Sequence, residues 1–186
     1  MGRVSQAQAE ENRQRVVDTA SRLFREQGTQ VSVADLMKAA GLTHGAFYKQ
    51  FTSKEALVDE ATTHAFTELA QRYAAGLDRC EGRRDAAQQV LIDTYLSVEH
   101  RDGPADGCPV AALASDIARE GGGREARRVY TEGVADFAEF LATDDQDGIV
   151  RLCTLFGALV LSRATNGSPL SEEILAAAHA ALTEAG

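Results

Sequence analysis

Between residues 10 and 27 the apolar side chains Val16, Ala20, Leu23 and Phe24 recur at i, i+4, i+7 and i+8, with Arg15, Arg22, Arg25 and Glu26 around them. This is one face of a 3.6-residue period, and it predicts an amphipathic helix ended by Gly28 in a left-handed turn. Ser32 is a good cap for a short helix over 33–40, with Asp35 near the positive end of its dipole. Gly41 stops that helix. Thr43 is expected to cap a third over 44–51, where Phe47 and Phe51 are i, i+4 neighbours, and Ser53 a fourth, longer one over 54–79. Beyond it, Val90, Leu91, Thr94, Tyr95 and Val98 predict a helix over about 85–100, broken by the Gly/Pro cluster 103–107. Pro109 suits the first turn of the next helix, which Gly121-Gly122-Gly123 ends. Helices over about 124–142, 146–165 and 171–184 follow, separated by Asp144-Asp145 and by Asn166-Gly167-Ser168-Pro169. No stretch alternates with period two. The expectation is an all-α chain: an N-terminal three-helix domain, 1–53, and a C-terminal helical domain, 54–186, with helix 54–79 connecting them.

Composition narrows this picture. The 186 residues are 25% charged and 44% apolar, which excludes wholesale disorder. The longest stretch without a charge, Leu152 to Ser162, is well short of the roughly 20 apolar residues of a bilayer span. No membrane association is therefore expected. The opening MGRVSQAQAEEN lacks an apolar signal segment, so a cytoplasmic location is expected. Cys80, Cys108 and Cys153 are odd in number and form no CxxC pair, which argues against a disulfide framework or a thiolate zinc site. No metal or cofactor is expected. The net charge of -9 conceals a division: residues 1–54 carry +3, with all three lysines, and residues 55–186 carry -12. A front that meets a polyanion and a rear that does not would have this distribution.

The segment Ala40-Gly41-Leu42-Thr43 joins two short helices, as in a helix-turn-helix. Phe47 and Phe51 are expected to point inward, against Leu36, Leu42, Leu57 and the Leu23/Phe24 face. That leaves Thr43, His44, Tyr48 and Lys49 outward, near a helix N-terminus, where a major-groove reader places its side chains, while Gly45 and Ala46 add little bulk.

With Ser32-Val33-x-Asp35-Leu36, Ala39 through Tyr48, Phe51 and Ser53-Lys54-Glu55-x-Leu57, residues 16–58 resemble the DNA-binding domain of TetR-family transcriptional regulators. Met37 departs from the alanine frequent in that family, a change expected to affect packing only. The resemblance implies phosphate contacts from Ser32, Tyr48 and Lys54, and base-side positions at Thr43, His44, Gly45 and Lys49. It also implies a helix-turn-helix DNA-binding domain over 1–53 and a ligand-binding and dimerisation domain over 54–186, with double-stranded DNA, a homodimer partner and an unidentified small-molecule effector.

The rear is less specific. Its aromatic residues are spread over several helices, and Phe66, Tyr95, Tyr130, Phe137 and Phe156, with Cys108, are the candidate ligand-binding positions; the same residues serve equally as plain core. The segment Gly107-Cys108-Pro109-Val110 resembles a helix start in a subset of the family, some of whose members sense electrophiles or oxidants by cysteine. A helix N-terminus would favour the Cys108 thiolate; the alternative is a small buried space-filler. Leu152, Leu155, Phe156 and Leu159, with Ile174, Ala178 and Leu182, are candidates for a four-helix dimer interface, or else an internal core.

Catalysis has little to stand on. His44, His64, His100 and His179 show no HxxxH or HExxH spacing, and Gly121-Gly122-Gly123-Arg124 lacks the Lys-Ser/Thr of a phosphate loop. No catalytic residue is assigned. The expected function is a ligand-responsive repressor that binds a palindromic operator as a homodimer and is released by a small molecule. The alternative is a helical small-molecule-binding dimer without a primary DNA-binding role.

Overall fold

The computed structural model describes residues 6–119 and 123–183. Every regular element among them is helical: α1 (Gln6–Gln27), α2 (Val33–Ala39), α3 (His44–Phe47), α4 (Lys54–Arg79), α5 (Arg84–Tyr95), α6 (Val98–Asp102), a 3-10 turn (Pro104–Asp106), α7 (Pro109–Ala118), α8 (Arg124–Leu141), α9 (Gly148–Ala164) and α10 (Pro169–Thr183). The all-α architecture is as the periodicity predicts. Gly121, Gly122 and Glu184, expected at helix boundaries, lie outside the described residues.

The boundaries are set by local chemistry. The Ser32 and Ser53 hydroxyls accept the amides of Asp35 and Ala56, each at 3.1 Å, and so start α2 and α4. Gly41 has φ +71, a left-handed conformation costly to any residue with a Cβ, and the chain turns there from α2 towards α3. Thr43 corrects one expectation. It occupies the cap position of α3, but its side chain makes no capping bond, and only its carbonyl takes part, accepting from Ala46 N at 2.9 Å. The α-helical part of α3 is a single turn, continued to Phe51 by turns rather than by helix. The helix expected over 85–100 is also two helices. It breaks after Tyr95, where the Ser97 hydroxyl accepts from His100 N at 3.1 Å and starts α6. No glycine or proline marks that break, so periodicity alone runs through it.

Two apolar cores result. The front one joins Val16, Ala20 and Phe24 of α1, Leu36 and Met37 of α2, Phe47, Phe51, and Leu57, Val58 and Ala61 of α4. Met37 is fully buried there, as a packing substitution should be. Leu113 and Ile117 of α7 and Ala126 of α8 complete this core, so residues 1–53 do not seal it alone. The rear core joins Phe66 and Leu69 of α4 to Ile92, Tyr95, Phe137, Leu141, Leu155 and Leu159. Burying each such large side chain contributes about 1.5–3 kcal/mol relative to exposure. A glycine at 133 is required here, since a Cβ would stand 2.1 Å from Phe66 Cδ1.

Polar contacts tie the front to the rear. Asp116 Oδ2, near the end of α7, accepts the Thr29 amide at 2.7 Å. Asp59 Oδ1 on α4 accepts from Gly123 N and Ala126 N, both at 3.0 Å, and so caps α8. Buried Arg25 donates to Glu68 at 3.0 Å and to the Gly107 carbonyl at 3.4 Å. Burial pulls its guanidinium pKa down, and the Glu68 carboxylate works in the opposite direction.

Candidate nucleic-acid interface and interior cavity

The turn after α2 and the short α3 sort side chains by face. Phe47 and Phe51 are buried, stacked with centroids 5.4 Å apart, against Leu36, Leu57 and Phe24. Leu23 and Leu42 are partly buried against the same cluster. Thr43, His44, Gly45, Tyr48 and Lys49 are all exposed, Tyr48 by 67%. The Tyr48 ring meets the edges or faces of both Phe47 and His44, at 5.1 and 5.8 Å, which fixes an exposed ring without burying it. A buried aromatic pair thus anchors a surface row of donors.

Two flanking positions are more engaged than the sequence suggests. The Ser32 hydroxyl, besides accepting the Asp35 amide, donates to Asp35 Oδ2 at 2.6 Å, so it already has an acceptor. Lys54 is half-buried; burial lowers its pKa, and nearby Asp116 acts against that. Arg13 is a residue that sequence reasoning missed. From α1 it donates to the Gln50 carbonyl and to Glu60, and its guanidinium lies 4.4 Å from the Phe51 ring centre. It pins the end of the α3 segment to α1 and α4. Nothing in its helical spacing distinguishes it from a solvated arginine.

The rear domain encloses a cavity of about 240 Å³ between α4, α5, the start of α7 and the end of α8. Of the expected ligand positions, Tyr95 and Cys108 line it. Phe66, Tyr130, Phe137 and Phe156 do not. Phe66 and Phe137 are buried in the rear core, Phe156 packs against it, and Tyr130 spends its hydroxyl on the Val110 carbonyl at 2.8 Å. The structure brings in Arg72, Tyr73, Arg79, His100 and Phe140 instead. Tyr73 and Phe140 stack in parallel, centroids 5.0 Å apart.

Apart from Arg72 and Arg79, the polar groups in this wall are ones whose burial disfavours the charged form. His100 Nε2 accepts the Cys108 amide at 3.2 Å, so Nδ1 carries the proton and donates to the Tyr95 carbonyl at 2.7 Å. Burial lowers the His100 pKa, and the Tyr95 carbonyl only partly opposes this. Burial also raises both Tyr73 and Tyr95 well above the ordinary tyrosine value. At Cys108 burial opposes the thiolate. The residue sits at the N-terminus of α7 and feels the Ala111 and Val110 amides, but full burial outweighs them and pushes the thiol up. The Tyr95 hydroxyl is an electrostatic neighbour of the Cys108 sulfur, without a hydrogen bond of ordinary geometry.

On α9 and α10 the expected interface stripe turns inward. Leu152, Leu155, Leu159 and Leu182 are buried in the chain's own core, and Phe156, Ile174 and Ala178 pack partly against it. Inward positions on an amphipathic helix are the more continuous apolar row, whichever surface they meet. The outer face of α9 is left with Ile149, Val150, Cys153, Val160 and Leu161 exposed, and with open space beside Gly157. No helix among the described residues is long and apolar enough to cross a membrane.

The structure thus joins an exposed row of polar side chains, on a helix-turn-helix anchored by buried aromatics, to an all-helical rear. Residues 16–61 match the family described as bacterial regulatory proteins, tetR family. The front of the chain therefore carries the DNA-binding segment of TetR-family transcriptional regulators. The chain is 43% identical over 61 residues to the HTH-type transcriptional regulator AcrR of Shigella flexneri, a match covering 32% of this chain and 28% of that one. It is 38% identical over 92 residues to the HTH-type transcriptional repressor KstR2 of Rhodococcus jostii, covering 47% and 43%. The chain thus spans about half or less of the length of these curated relatives. Its fold is that of the reduced form of E. coli NemR, with a TM-score of 0.75 over 94% of this chain and 96% of that one, at 20% identity.

Proposed function

We propose that this chain is a homodimeric repressor that binds a palindromic operator and is released by a small molecule held in the rear cavity. The observation that carries the DNA-binding part is the outward row Thr43, His44, Gly45, Tyr48 and Lys49 on a segment whose other face is sealed by Phe47 and Phe51. In this reading residues 1–53 form the reading head and 54–186 the ligand-binding and dimerising part, with α4 the connection. Lys49, His44 and Thr43 meet base edges across Gly45; Tyr48, Lys54 and the free amides beside Ser32 meet phosphates. The exposed outer face of α9, with Ile149, Val150, Val160 and Leu161, pairs with its copy across a twofold axis, and α10 flanks it. A ligand in the cavity biases the positions of α4 and α7, whose other ends meet the head through Lys54 and Asp116. This is coupling by differential stabilisation of two arrangements. The protein acts in the cytoplasm, without catalysis.

The test is selection from a random duplex pool with the purified chain at about 150 mM salt, where unspecific binding is weak. A palindromic motif is expected. A folded protein that enriches no motif in the presence or absence of candidate ligands would overturn the reading and favour the ligand-binding dimer without a DNA role.

A further inference from the structure

The wall of the rear cavity differs in charge from the domain that contains it. Residues 55–186 carry a balance of -12, yet no Asp or Glu lines the cavity, whereas two arginines do. Arg72 and Arg79 stand on one stripe of α4 with Leu69, Tyr73 and Gly76, at spacings of three and four residues. Both are exposed, at the solvent end of the cavity. Arg72 donates to a carbonyl, that of Asp106, at 2.7 Å. The Arg79 guanidinium folds back over Gly76, 4.0 Å from where a Cβ would be. Such a mouth suits an anion and disfavours a cation.

Inside, the wall is aromatic and apolar. Tyr95 is 6% exposed, and its hydroxyl, like the buried hydroxyl of Tyr73, makes no hydrogen bond within the chain. Both oxygens are shut off from the open space, so these tyrosines offer a ligand their rings rather than their hydroxyls. His100 offers a ligand nothing, since both ring nitrogens are used. The parallel stack of Tyr73 on Phe140 presents flat surface. Size sets the last limit. An apolar cavity of about 150 Å³ takes one benzene ring; at about 240 Å³ this one has room for two fused rings.

We propose that the effector class is a two-ring aromatic monocarboxylate: rings against Tyr73, Tyr95 and Phe140, and carboxylate on Arg72 and Arg79. This deepens the reading of the cavity as the effector site and rests on it.

Calorimetric titration of the full chain, free of DNA, tests the class with 2-naphthoate, its neutral isostere 2-naphthamide, and the cation 2-naphthylmethylammonium. The naphthoate is expected to bind at least about tenfold more tightly than the amide, through charge-assisted hydrogen bonds, and the cation more weakly than either. Arg79→Gln and Arg72→Gln, both at exposed positions, should each erase much of the preference for naphthoate while leaving amide binding in place. Equal affinity for the three probes, no binding of naphthoate, or a preference unchanged in both arginine variants overturns the proposal. A parallel arm adds naphthoate to the protein bound to its selected duplex. Binding without release leaves the ligand class standing and overturns only the regulatory reading.

Discussion

The head and the rear domain use the same apolar alphabet in opposite ways. In the head the core faces in and the chemistry faces out: Phe47 and Phe51 fill the interior while Tyr48 and Lys49, their immediate neighbours, are exposed. In the rear the chemistry is itself interior. Tyr73, Tyr95, His100 and Cys108 are wall residues of a cavity, surrounded by Phe66, Phe137 and Leu155, which are ordinary core. Burial separates function from structure in the first region and fails to do so in the second. The charge balance follows: the proposed reading surface can be basic, whereas the acidic rear keeps its cavity free of carboxylates.

The largest effects should come from breaking each core in turn. Phe47→Ala and Phe137→Ala should each destabilise the protein by about 3–5 kcal/mol. Hydrogen exchange should show Phe47→Ala loosening the head more than the rear, and Phe137→Ala the reverse. Identical exchange patterns would mean one cooperative unit, which the insertion of Leu113, Ile117 and Ala126 into the front core makes a real alternative. Next, Gly133→Val should cost about 1–3 kcal/mol by overpacking against Phe66, with a lowered urea midpoint as the check. In the head, Lys49→Ala should remove about 1–3 kcal/mol of discrimination between the selected duplex and a random one. Equal losses on both would show that Lys49 touches phosphate.

Acid should distinguish the regions more gently. His100 is held below its ordinary value of 6.5 by burial, so below that pH the unfolded chain binds a proton that the folded chain resists. Its contribution is whole above pH 6.5 and declines as pH falls beneath it. Urea midpoints at about pH 7.5 and pH 5.5 should differ more in the wild type than in His100→Gln. The smallest expected effect is on the phosphate contacts: Lys54→Ala should weaken all duplexes alike and reduce the salt slope by about 1. An unchanged slope would mean that Asp116, beside Lys54, already holds that charge within the protein.

Legibility followed the same division. Ser32, Ser53, Gly28 and Gly41 act within a few residues of themselves, and the chain behaves at each as local chemistry predicts. Thr43 and Ser97 mark the limit of that argument. A capping residue states only a capacity; Thr43 leaves its side chain out, and Ser97 divides a helix that apolar spacing carried straight through. In the rear, Tyr95 and Cys108 line the cavity as Tyr73 does, while Phe66, with the same periodic properties as Tyr73, lies in the core, and nothing in the spacing of Arg72 and Arg79 marks them as wall residues. Similarly, the apolar rows of α9 and α10 were visible in the sequence, while which row meets the chain's own core was not.

Helix positions, the all-α class and the facing of the reading segment follow from the order of residues, because each depends on contacts spanning one or two turns. Tertiary packing decided the location of the cavity, the burial that opposes charge on Cys108 and His100, and the role of Arg13. Those depend on how α1, α4, α5, α7 and α8 meet, across separations of dozens of residues, and on the loss of water at the places where they do.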